Sequence, residues 1–100
     1  MIRGAIEQAT RENVSGWLYC QAMPLRGGLV LAFVGEECVG TGRIEFYRED
    51  LHKARLGDGY CGFYFPVQLQ DNQDPAAIVV RLADSDLSLL QRGSLVVGGG

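Results

Sequence analysis

Arg48, Asp50 and Asp58 come nearest, by type and spacing, to a constellation able to do chemistry in this chain of 100 residues. A guanidinium forks onto carboxylates through paired N–H donors, so one arginine can hold two chain segments in a fixed relation. Arg48 and Asp50 sit in Arg48-Glu49-Asp50-Leu51, and Asp58 in Gly57-Asp58-Gly59. The arrangement predicts a structural clasp that pins the charged segment to the turn before the next strand. A ligand-binding role for the same three residues is the alternative. Asp58 between two glycines also suits a turn in which glycine supplies positive φ and the carboxylate accepts from nearby backbone N–H groups.

Other reactive types do not assemble. His52 is the one histidine and has no second His or paired Cys at zinc spacing, so no metal site is expected. Ser15, Ser85, Ser88 and Ser94 lack the glycine elbow of a serine hydrolase. Asp71, Asn72, Asp74, Asp84 and Asp86 offer hard oxygens, but their spacing is not that of an EF-hand loop. Gly40-Thr41-Gly42 lies inside a predicted strand and cannot open a helix onto a phosphate. No catalytic residue and no cofactor are expected, and the chain reads as a non-enzyme.

The aromatic residues suggest a different chemistry. Flat rings pack on the C–H faces of sugars, and Trp17, Tyr19, Tyr47, Tyr60 and Tyr64 are candidate members of such a platform. Phe63 and Phe65 share a face with Val67 and Leu69 and are assigned to the core; Tyr64 points the opposite way. A lone tryptophan in a small sandwich is more often core than platform, which weighs against Trp17.

Composition narrows the partners. Apolar residues make up 47% and charged residues 21%, with net charge −3 and an even mix of signs. That predicts a globular domain with no clustered basic surface for nucleic acid or anionic membrane. No stretch approaches the roughly 20 apolar residues of a membrane span, and the first residues carry no signal-like apolar run. Cys20, Cys38 and Cys61 form an odd set without a CxxC pair, so they read as reduced small hydrophobes and the compartment as cytoplasmic.

The elements that must position these groups are strands. Apolar residues recur with period two between Gly and Pro clusters, predicting strands over 3–8, 13–21, 29–34, 39–47, about 62–69 and 78–83. Gly35-Glu36-Glu37 reads as a tight hairpin turn, with Ile44 and Phe46 on one face of the returning strand. Residues 49–55 predict one short helical turn; 85–91 is a second helical candidate, capped by Asp84 or Ser85 with Leu87, Leu89 and Leu90 inward. The pattern predicts an all-β, two-sheet antiparallel sandwich, Ig-like or Greek-key-like, over residues 1–97 with a flexible glycine tail at 98–100. Leu29 to Val34 is apolar on both faces, so one face needs cover: from segment 87–97, a second subunit or an adjoining domain. Leu29, Leu31, Phe33, Leu95 and Val97 are therefore interface candidates, and Leu95-Val96-Val97 can add a strand to an open edge.

In this order, Gly4-Ala5-Ile6, Val14-Ser15-Gly16-Trp17, Arg48-Glu49-Asp50-Leu51, Gly57-Asp58-Gly59, Gly62-Phe63 and Ile78 to Leu82 resemble a bacterial β-sandwich accessory domain found beside glycosyltransferases and other polysaccharide-related enzymes. The likeness spans about residues 3–84, departs at the Gly35-Glu36 turn, and ends after Asp84. It implies a non-catalytic module in glycan-linked machinery, acting by protein–protein contact or self-association. Direct carbohydrate binding through the exposed aromatics is the alternative. The expected partners are thus a protein or a second copy, or a polysaccharide.

Overall fold

Alternation of apolar and polar side chains decides the architecture because a strand sends successive side chains to opposite faces. The computed structural model of the chain describes residues 2–85, 87–91 and 95–97, the last three as backbone. Eight strands form: β1 Ile2–Ala9, β2 Asn13–Cys20, β3 Leu29–Val34, β4 Glu37–Arg43, β5 Gly62–Pro66, β6 Ile78–Leu82, β7 Leu87–Leu89 and β8 Leu95–Val97. They build two antiparallel sheets, ordered β1-β2-β5 and β4-β3-β6-β7-β8. The chain passes from β4 to β5 in the other sheet and returns to β6, which pairs with β3. These crossings give the sandwich its Greek-key-like character. One short helix, α1 Glu49–Lys53, and a 3-10 turn at Pro75–Ala77 complete the regular structure.

Between the sheets lie Val14, Leu18, Phe63 and Phe65 from one side and Val30, Ala32, Ile78, Val80, Leu87 and Leu89 from the other. Two motif fragments far apart in sequence meet here. Gly16 pairs with Phe63, and Trp17 with Gly62, across β2 and β5. On the core face a Cβ on Gly16 would come within 2.8 Å of the Phe63 ring tip. The aromatic ring thus occupies the space that glycine vacates, a cross-strand rescue that fixes the register of the two strands. On the opposite face Trp17 lies beside Gly62, half-buried against the core.

The structure resolves the two-faced strand β3. Val30 and Ala32 face the core, while Leu29, Leu31 and Phe33 face outward and are half-buried. The Arg81 guanidinium lies 4.7 Å from the centre of the Phe33 ring and covers part of this face. The described strands of segment 87–97 do not lie over it: β7 and β8 extend the same sheet beyond β6. Leu95 and Val97 sit on that last strand, paired with Leu89 and Leu87 respectively. The expected tail at 98–100 lies outside the described residues.

Two expectations are corrected. Residues 87–89 form a strand, not a helix, because β6 presents an open edge that β7 pairs with through Val80–Leu89 and Arg81–Ser88. Asp84, at φ 60°, turns the chain tightly, and the Ser85 hydroxyl accepts from Leu87 N–H, which spends the proposed cap on a hairpin. The strand returning from the hairpin ends at Arg43. Ile44 is fully buried, whereas Phe46 is 44% exposed and bridges to Gly62 of the other sheet.

Candidate functional site

Arg48 ties three parts of the fold. Its backbone N–H donates to the Gly59 carbonyl at 2.8 Å, which holds the glycine turn. Its guanidinium forks onto Asp50 at 3.1 and 2.9 Å and onto Glu7 of β1 at 2.5 and 3.0 Å. The side chain crosses over Gly62, whose absent Cβ would lie 3.1 Å from Arg48 Cγ. These carboxylates raise the guanidinium's affinity for its proton, and the paired hydrogen bonds from Arg48 hold the Asp50 carboxyl below the usual carboxylate range. Asp58 stands apart from this knot. The expected Arg48–Asp58 bridge is absent because Glu7, which nothing in the local pattern marks, takes the second fork.

Arg48→Ala is expected to destabilise the fold by about 1 kcal/mol, since solvent screens a largely exposed network. The Asp50 contribution has a defined pH sign. Its pKa is lower folded than unfolded, so its stabilisation is full above the usual carboxylate range and is lost as pH falls from that range through the lowered folded value. Urea melts at neutral and acid pH should show Asp50→Asn losing less stability on acidification than the parent; equal losses would refute the assignment.

Asp58 helps to shape a cleft of about 340 Å3 where β2 ends and β5 begins. Gly57 and Gly59 take φ of 62° and 84°, and Asp58 Oδ1 accepts from Tyr60 N–H at 3.0 Å, closing the turn. The Tyr19 ring packs on this turn, 3.1 Å from where a Gly57 Cβ would stand. On the facing wall the Arg26 guanidinium stacks 3.8 Å from the Tyr60 ring centre and reaches Asp58 at 3.5 Å. Backbone bonds from Gly27 N–H to the Ile44 carbonyl and from Gly28 N–H to the Leu25 carbonyl position the loop that carries Arg26. Pro24, Leu25 and Leu56 supply apolar wall, and Cys20 and Cys61 close the inner end. Burial pushes the Cys61 thiol up, so it stays protonated and serves as apolar lining.

The five candidate aromatics divide. Tyr19 and Tyr60 line the cleft. Tyr47 stands behind Tyr60, ring centres 5.2 Å apart, and its hydroxyl shares a 2.7 Å hydrogen bond with His52 Nδ1. Tyr64 is 53% exposed and meets Phe46 edge-on at 6.5 Å. Trp17 is half-buried against the core. Sequence reasoning misses Arg26 and places Phe46 on one face with the buried Ile44. Arg26 stands in a Pro- and Gly-bounded loop, where an isolated charge carries no periodic signal; Phe46 was hidden by extending the alternation of β4 too far.

Among the described residues no group of three His, Cys, Asp or Glu could hold a metal ion, and no helix is long and apolar enough to cross a membrane. Comparison with family models, with curated proteins and with solved structures finds no match to this chain.

Proposed function

We propose that this chain is a non-catalytic binding domain of glycan-linked machinery and that carbohydrate is its ligand, taken in the cleft between Tyr19, Arg26, Asp58 and Tyr60. The observation that carries the reading is the pairing of apolar and aromatic walls with one donor fork and one carboxylate at the rim. Sugars need that combination: C–H faces against rings, and hydroxyls that both donate and accept. The cleft volume falls in the range of about 300–1,000 Å3 typical of ligand sites.

Calorimetric titration against a panel of neutral and acidic glycans tests this. Tyr19→Ala is expected to weaken binding by about tenfold or more, a loss of about 1.4 kcal/mol. The absence of binding to every glycan, or full affinity in Tyr19→Ala, would reject it. Protein–protein contact is the second reading, favoured by the exposed Phe46–Tyr64 pair and the outward Leu29, Leu31 and Phe33. Light scattering at two concentrations addresses self-association, which Phe46→Ser with Tyr64→Ser should then abolish.

A further inference from the structure

We infer that the ligand is an uncharged oligosaccharide, not a single sugar, and that it occupies two subsites divided by Arg26. This rests on the carbohydrate reading above. Beyond the cleft, on the other side of the Pro24–Arg26 loop, lies a broader groove of about 700 Å3. The two depressions share Pro24, Leu25 and Arg26 as lining, so this loop borders both. Arg26, with its side chain 56% exposed, borders both. A ligand that occupies both depressions has to cross at this residue.

The charges define the ligand's chemistry. The cleft sets Arg26 against Asp58, and Arg43 and Asp84 are both among the lining of the groove. Among the described lining residues the two arginines and two aspartates cancel. A polyanion would meet two carboxylates, and a polycation two guanidinium groups. A neutral chain of hydroxyls suits both signs, because each hydroxyl accepts from an N–H and donates to a carboxylate. The groove repeats the apolar component of the cleft with Met23, Leu29 and Leu82, surfaces against which the C–H faces of a second ring can lie. Arg43 is held in place by donating through Nη1 to the Gly27 carbonyl at 2.9 Å, which fixes the distal subsite to the same loop that carries Arg26. Fixed donors of this kind bind with less loss of side-chain entropy.

The test is calorimetric titration with neutral glucan, mannan and chitin-type ladders of one to six sugars, with an acidic oligosaccharide ladder as control. Affinity for the preferred neutral ladder is expected to rise about tenfold or more from one sugar to four, about 1.4 kcal/mol, then level off. Asp84→Asn, which spares the bond from Arg43 to the Gly27 carbonyl, should flatten that rise, and a thermal melt checks that the variant folds. Equal affinity for one and six sugars would overturn the two-subsite inference and leave the carbohydrate reading standing. Preference for the acidic ladder with steep salt dependence would overturn the neutral assignment alone. Failure of every ladder to bind would overturn the carbohydrate reading itself.

Discussion

Phe63→Ala is expected to cost about 3–5 kcal/mol of folding stability, the range for removing a buried aromatic side chain. Phe63 is 2% exposed, lies with ring centre 5.9 Å from that of Phe65, and fills the site left by Gly16 on the neighbouring strand. Truncation therefore opens a cavity against a glycine, which has no side chain to collapse into it. A domain of this size commonly has only about 5–15 kcal/mol to lose, so the variant should sit near the edge of folding. Urea titration of the parent and variant measures the difference. A loss below about 1 kcal/mol would show that the cross-strand pair does not organise the core.

Gly16→Ala is expected to destabilise from the other side of the same contact, by about 1–3 kcal/mol or more. The added methyl meets the Ala5 carbonyl of β1 as well as the Phe63 ring. The ring could shift, but the carbonyl belongs to the β1–β2 pairing and cannot move without distorting it. Gly16→Ala combined with Phe63→Leu relieves only the ring clash. The double variant should thus recover part of the loss, and a cycle of urea melts isolates that part. Strict additivity would mean that the glycine is required by β1 alone.

The wider fold was legible wherever one rule dominated. Strands β2, β5 and β6 alternate, and the buried positions Val14, Leu18, Phe63, Phe65, Val80 and Ile78 follow that alternation. Strand β3 is apolar on both faces, and only the packing of the sheets selects Val30 and Ala32 for the core. Residues 85–91 are ambiguous because Leu87, Leu89 and Leu90 satisfy either period in a short window; the open edge of β6, a non-local feature, decides for a strand at 87–89. Phe46 was misplaced for a related reason. Alternation holds only while the chain stays in one sheet, and here it leaves at Arg43 to cross to the other. The glycine-flanked turn at Asp58 was readable as a turn, but Arg26, its partner across the cleft, was not.

Arg48, Asp50 and Asp58 show where the division falls. By itself, sequence determined that Asp58 makes a turn, since positive φ on both sides is a local property of Gly57 and Gly59. It also determined that Arg48 and Asp50, two residues apart, could share a fork. Only the tertiary structure decided that Arg48 reaches Glu7 of β1 while Asp58 faces Arg26. Those partners are brought together by packing two sheets, and a side chain's longest-range neighbour depends on which strands lie beside it, not on its own segment.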